Sequence, residues 1–270
     1  MASNTYLIEN GELTTTINKP EFDDLLVIYD VFRIENDKPL FLNDHLKRLY
    51  DGISKSGHRL SVTTKELAGQ IFTLIEAEKR NIGNIKIECS FKQQDTYECY
   101  YAIFFIPHNY PDVEQYRSGV ICTTLNGCRA NPSIKVANTS IRVQSNKIIE
   151  EKRVFETILT NDEAVTEGSR SNIFFVRNEE LITAPDSLVL CGVMRKKVLE
   201  TANRLHIPII FEAVRVNKLP LMEAAFLTGT SLRILPVKRI DEYRFSVPHS
   251  VITELTEGLY RFYIDRDLGK

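Results

Sequence analysis

The spacing of apolar positions along this chain falls into two regimes. Over residues 43–57 and 64–81 it follows the three-to-four-residue repeat of an amphipathic helix; much of the rest breaks into short β-prone runs. Asn43 predicts an N-cap for the first helix, which carries Leu46, Leu49 and Ile53 on one face and ends near Gly57. The second helix runs from about Thr64 to Asn81, with Leu67, Ile71, Leu74 and Ile75 inward and Gly83 as its stop. Asn10-Gly11, between short β-prone runs, predicts a hairpin turn. Residues 29–34 and 39–42 predict a second hairpin across Glu35-Asn36-Asp37-Lys38, and strands follow at 85–91 and 98–106.

Residues 107–117 combine Pro107 and Pro111 with polar residues, the composition of a linker. Beyond them the pattern predicts a strand at 119–125, a helix at 140–153, and strands at 155–160, 173–177 and 180–184. A helix at 194–205 with Gly192 before it, a strand at 207–214, strands at 225–229 and 234–237, and a closing helix at 250–265 complete the chain. Many strands with few helices imply a barrel-like β unit. The reading is therefore α+β, with an N-terminal α+β domain over 1–106, a linker at 107–118 and a C-terminal barrel-like domain over 119–270.

Composition narrows the class without naming it. A hydrophobic content of 43% and a charged content of 26% are those of a soluble globular protein. The net charge of −2 argues against wholesale nucleic-acid binding. The first residues lack a basic segment leading into an apolar one, so no signal peptide is expected. No apolar run approaches the ~20 residues of a membrane span. The five cysteines include no CxxC pair and no ligand spacing with histidine, which disfavours a zinc site and fits a reducing cytoplasm. Cys89, Cys99 and Cys122 fall in strand-like runs and read as buried thiols. No G-x-G-x-x-G follows a strand, which disfavours a dinucleotide enzyme.

The stretch Val165-Thr166-Glu167-Gly168-Ser169-Arg170-Ser171-Asn172-Ile173-Phe174-Phe175-Val176 carries the candidate chemistry. A carboxylate and small polar residues lead into an apolar β-prone run, which puts polar groups at the rim of a buried strand. Lys135 has apolar neighbours in Ile134, Val136 and Ala137. Lost solvation favours the neutral, nucleophilic amine. Taken alone, Lys135 also reads as a surface lysine at a strand end. Gly192-Val193-Met194-Arg195 before a helix makes a potential anion site from unsatisfied helix N–H groups. Thr228-Gly229-Thr230-Ser231 places small hydroxyls at a strand end.

Together these segments resemble the aminotransferase class IV family. These are fold-type IV pyridoxal-phosphate enzymes, including branched-chain and D-amino-acid aminotransferases and aminodeoxychorismate lyase. The resemblance implies pyridoxal 5′-phosphate as cofactor, held covalently by Lys135, which follows an Asn-Pro and opens Lys-x-x-Asn as in the family. It assigns Glu167 to the pyridine nitrogen. The main-chain N–H groups of Val193 and Met194 and the hydroxyl of Thr230 go to the phosphate, with Ser231 beside them on the substrate side. The family version of Gly192–Arg195 reads Gly-Ile-Thr-Arg, so Met194 loses a hydroxyl but keeps its N–H. Arg48, in a family-like His-x-x-Arg-Leu, completes the phosphate cup, and Leu190 packs on the ring face. Tyr29, in a run resembling Tyr-Glu-Val-Ile-Arg-Val, approaches the substrate carboxylate.

Two departures bear on substrate. Where the family has Phe-Gly-Asp-Gly upstream of Tyr29, this chain has Phe22-Asp23-Asp24-Leu25, so the pocket entrance is rebuilt. Residues 85–91 lack the carboxylate-binding arginine of amino-acid-specific relatives; Lys86 lies there, and Arg170 is the expected substitute cation. The resemblance implies transamination between an amino donor and a 2-oxo acid in a homodimer, with the cofactor between the domains and no metal. Elimination of pyruvate from aminodeoxychorismate is the alternative. A non-catalytic binding protein on the same fold would be marked by loss of Lys135 or Glu167, and both are present.

Overall fold

A computed structural model of the chain describes residues 5–16, 25–92, 99–137 and 139–269. The divergent Phe22-Asp23-Asp24 segment and Asn138 lie outside the described residues. The chain forms two compact units: Met1–Asn109 joined by Ile134–Ala137, and Tyr110–Ser133 joined by Asn138–Lys270.

The first unit holds strands β1 (Leu7–Glu9), β2 (Glu12–Thr14), β3 (Leu25–Glu35), β4 (Lys38–Pro39), β5 (Ile82–Lys92) and β6 (Cys99–Ile106), with helices α1 (Leu42–Lys55) and α2 (Thr64–Glu78). The sheet order is β2-β1-β6-β5-β3-β4, antiparallel throughout. The β1–β2 turn is Asn10-Gly11, with φ of 47° and 97°, and the β3–β4 turn is Asn36-Asp37, with φ of 52° and 60°. These left-handed pairs match the strand twist, so the hairpin signals read from sequence hold.

Alternation in β3 buries Ile28, Asp30, Phe32 and Ile34 on one face. The apolar members pack with Leu46, Leu49 and Ile53 of α1 and with Leu67, Ile71 and Leu74 of α2. Each such side chain contributes roughly 1.5–3 kcal/mol by leaving water. Thr63 caps α2 in a reciprocal box with Glu66. The helix stops at Lys79, in the left-handed region, a little before the expected 81. The start of α1 differs from expectation. Its N-cap is Phe41, at φ 54° and without a side-chain bond, and Asn43 lies inside the first turn. Leu40 and Phe41 are both buried, and their anchoring in the core sets where the helix begins.

Residues 134–137 join this unit by main-chain pairing. Val136 bridges Ile28, Tyr29 N donates to Lys135 O at 3.1 Å, and Ala137 N donates to Val27 O at 2.9 Å. Buried Ile134 belongs to the same core. The sequence reading grouped Lys135 with the C-terminal domain; the structure groups it with the first unit, because this long-range pairing leaves no local signal.

The second unit contains helices α3 (Val113–Ser118), α4 (Ser140–Lys152), α5 (Val193–Arg204), α6 (Ser250–Leu259) and α7 (Asp265–Leu268). Its strands are β7 (Val120–Asn126), β8 (Glu156–Asn161), β9 (Ala164–Gly168), β10 (Asn172–Arg177), β11 (Glu180–Thr183), β12 (Ile209–Phe211), β13 (Ala224–Gly229), β14 (Arg233–Ile240) and β15 (Tyr243–Arg244). The sheet runs β12-β11-β10-β13-β14-β7-β8-β9, with β15 on β14. It is mixed: β7 is parallel to β8 and β14, and β12 is parallel to β11. Phe174 and Phe226 stack at 5.1 Å on neighbouring central strands, both fully buried.

Three local expectations are revised here. The presumed linker contains α3, closed by a capping box between Asp112 and Gln115. The strand expected over 207–214 contracts to β12. The closing helix is interrupted at Tyr260–Ile264 by a π-helical turn before α7. No helix among the described residues is long and apolar enough to cross a membrane. The described residues contain no cluster able to hold a metal ion, and no disulfide joins any of the five cysteines.

Candidate active site

In the first unit a reactive-amine candidate stands beside a buried charge cluster. Lys135 is half-buried, and its main chain is hydrogen-bonded to β3 at Tyr29. Its Nζ lies 4.8 Å from the centroid of the Tyr29 ring. Lys86 approaches the same ring at 5.0 Å and forms an ion pair with Glu88. Strand register explains the grouping: Tyr29 is opposite Glu88, and Lys86 is opposite Val31 one diagonal step away.

On the buried face of β3, Asp30 accepts two bonds from Arg48, from Nε at 2.8 Å and Nη2 at 2.7 Å. His45 Nδ1 donates to the same carboxylate at 2.7 Å. Arg48 and His45 share a face of α1 because they are three residues apart. Burial would raise the Asp30 carboxyl, but the Arg48 charge and the hydrogen bonds from His45 and Arg48 outweigh it and hold it well below the usual carboxylate range. Burial pushes His45 down, helped by Arg48 and Lys135, against the opposing pull of Asp30. The cluster is thus an ionised carboxylate, a guanidinium and a neutral imidazole.

In the second unit Glu167 is the penultimate residue of β9 and is 2% exposed. Arg129 Nε donates to its Oε1 at 2.8 Å, and the Leu190 main-chain N donates to its Oε2 at 3.1 Å. The following loop is tied to a second buried carboxylate. Glu156 accepts from Ser169 Oγ at 2.8 Å, Arg170 N at 2.6 Å and Ser171 Oγ at 2.7 Å. Asn172 continues the frame, with Nδ2 donating to Leu190 O at 2.8 Å.

Gly192 caps α5 with no side-chain bond. A Cβ there would come 2.2 Å from Asn172 Oδ1, so the close approach requires glycine. Asn172 is also the strand partner of Thr228. The start of α5 and the end of β13 therefore flank one residue. Thr228 is 1% exposed, and its Oγ1 has no hydrogen-bond partner among the described residues. Thr230 and Ser231 sit in the half-buried turn closed by Leu232 N donating to Gly229 O at 3.0 Å.

A model of the amino-transferase class IV family matches residues 27–240. The chain belongs to this family. It is accordingly an enzyme of the aminotransferase class. The D-alanine aminotransferase of Bacillus licheniformis is 28% identical over 247 residues, covering 88% of this chain and 87% of the relative. Among solved structures, the branched-chain amino acid aminotransferase of Escherichia coli aligns with a TM-score of 0.85 at 18% identity, covering 97% of this chain and 95% of that one. A Legionella pneumophila protein assigned as a 4-amino-4-deoxychorismate lyase aligns at 0.78 with 19% identity, covering 87% and 90%. At these identities the structural likeness concerns the fold.

The residues present suit the phosphorylated pyridine cofactor expected in a class IV aminotransferase. Helix α5 offers N–H groups at Val193 and Met194, and Thr228 keeps an orphaned hydroxyl nearby in the fold. Glu167 is a buried carboxylate bonded to Leu190, the residue expected on the ring face. Arg195 of the same motif serves the scaffold instead, donating to Ala184 O at 2.9 Å and to Asp186.

The Arg170 guanidinium is exposed and donates to Asn146 Oδ1 at 2.6 Å. Ser169 and Ser171 both turn inward onto Glu156, so the residue between them faces out. Arg129, Asp30, His45, Glu156 and Asn172 escaped the sequence reading. Arg129 gave no local signal; Asp30 did, as a charged residue at a core-facing position of an alternating strand.

Proposed function

We propose that this class IV enzyme is a pyridoxal 5′-phosphate-dependent aminotransferase acting between an amino acid and a 2-oxo acid. The observation that carries the reading is Lys135: the residue is half-buried with its amine against Tyr29, and main-chain bonds at Lys135 O and Ala137 N fix it to β3. When bound, the cofactor supplies an electron-withdrawing pyridinium ring conjugated to the reacting carbon. Lys135 would hold the cofactor through its Nζ, and the same amine would take the proton from the donor α-carbon.

Glu167 would accept the ring N–H, and Leu190 would cover the ring face. The N–H groups of Val193 and Met194, the Thr230 hydroxyl and Arg48 would hold the phosphate; Arg48 is oriented by Asp30. Ser231 lies on the substrate side of that turn. With Arg170 turned to Asn146, the donor carboxylate falls to Lys86 and Tyr29. A homodimer in the cytoplasm completes the proposal. The relatives' names point to D-alanine and branched-chain amino acids as the first donors to try.

One observation favours a second reading. β5 carries Lys86, ion-paired to Glu88, where amino-acid-specific relatives are expected to hold an arginine. That suits pyruvate elimination from aminodeoxychorismate. The experiment loads the purified protein with pyridoxal phosphate and reduces it with borohydride. Peptide mapping should place the label on Lys135, and Lys135→Ala should lose both label and turnover. A donor screen then scores 2-oxo acid formation with an acceptor against pyruvate release from aminodeoxychorismate without one. Label on another lysine, or no turnover in either arm, refutes the proposal.

A further inference from the structure

We infer that Arg129 is a positioning residue that keeps Glu167 ionised and aimed, and through it sets the proton on the ring nitrogen. This rests on the role of Glu167 proposed above. The Glu167 side chain is 3% exposed, and a carboxylate so buried favours its neutral form unless a cation faces it. Arg129, itself 9% exposed, supplies that cation.

Its fork spans two groups. Nε donates to Glu167 Oε1 at 2.8 Å, and Nη2 donates to Ser169 O, two residues further on, at 2.9 Å. Arg142 of α4 donates to the same Ser169 oxygen at 2.8 Å. With Leu190 N on Oε2, both oxygens of the Glu167 carboxylate are held. The second carboxylate of this region does not compete for Arg129. Glu156 takes its bonds from two hydroxyls and one main-chain N–H.

The backbone is shaped to bring the two arginines together. Gly127, just before Cys128-Arg129, has φ +152°, and a Cβ there would meet Ile141 Cδ1 at 2.5 Å. Glycine therefore lets the loop after β7 close against the start of α4, next to Arg142. The chemical consequence concerns where one proton resides. Beside a guanidinium, Glu167 stays anionic, so a proton shared with a pyridine nitrogen stays on nitrogen. Without it, the buried carboxyl gains affinity for that proton, and the ring loses its cationic form.

The experiment compares wild type, R129M, R129K, E167Q and the R129M/E167Q double variant. Pyridoxal phosphate affinity is read by titrating its visible absorbance, and the donor half-reaction is read in a single turnover. Circular dichroism and thermal melting confirm folding. R129M should lose about ten- to a hundredfold in both readouts, the scale of one charged hydrogen bond. R129K should recover part of the loss, since an ammonium keeps the charge but cannot fork. The double variant should be no worse than E167Q alone, because both act through one carboxylate. Losses that multiply in the double variant, or R129M values equal to wild type, overturn the inference. If R129M does not fold, R129K decides: wild-type values for R129K with an unchanged absorbance maximum refute aiming by the fork. Wild type that takes up no cofactor at Lys135 refutes the functional reading, and this inference falls with it.

Discussion

Asp30→Asn tests the buried cluster on β3, because the substitution changes charge while keeping shape. Asp30 is fully buried and receives Nε and Nη2 of Arg48 and Nδ1 of His45, all within 2.8 Å. An asparagine offers one acceptor oxygen where the carboxylate offered two, and it turns an NH2 toward a donor of Arg48. Arg48 then keeps its charge while the Asp30 anion against it is gone. Removing one partner of a buried pair costs about 3–5 kcal/mol, and the oxygen that Asn retains should bring the loss to roughly 3 kcal/mol.

The pH dependence follows from the direction of the Asp30 shift. Its folded-state value is depressed below the unfolded one, so its stabilisation is fully present above the unfolded value and is lost as pH falls. With an unfolded value of about 3.9, wild type should lose about 0.7 kcal/mol of this contribution between pH 7 and about pH 3.5. The assay is urea unfolding of wild type and Asp30→Asn at both pH values. The gap between the two proteins should be large at pH 7 and narrower by that amount in acid. A gap below ~0.5 kcal/mol at pH 7, or one that widens in acid, would refute the reasoning.

Two further substitutions probe the second unit. Gly192→Ala places a methyl 2.2 Å from Asn172 Oδ1 and should destabilise by about 1–3 kcal/mol, since Asn172 is buried and holds Leu190 O. Melting should fall and pyridoxal phosphate should bind more weakly, while pyridoxal without its phosphate should be less affected; unchanged melting and affinity would contradict the cradle. Arg170→Met should alter stability by less than ~0.5 kcal/mol and leave KM for amino acids within about threefold, because the guanidinium is exposed on Asn146. A rise in KM of tenfold or more in steady-state assays would return Arg170 to the substrate.

Much of this protein is written in local pattern. The amphipathic repeats give α1 and α2, the Asn-Gly and Asn-Asp turns give the hairpins, and the apolar runs give β10 and β13, because these depend on neighbours within a few residues. Glu167, Gly192 and Lys135 stood out for a different reason: their motifs resemble a known family, and the class IV match over 27–240 shows that family for the chain. What local pattern could not supply is every contact between distant segments. The pairing of residues 134–137 with β3 carries Lys135 to Tyr29 across more than a hundred residues of chain. Asp30 gathers Arg48 and His45 from a helix, and Arg129 reaches Glu167 from a loop before α4. Arg170 looked like a substrate cation by its place in the motif. Its flanking serines turn it outward, because the Glu156 that holds them comes from another strand. Periodicity records which side of an element is buried; the partners of each buried charge are set by how the elements pack.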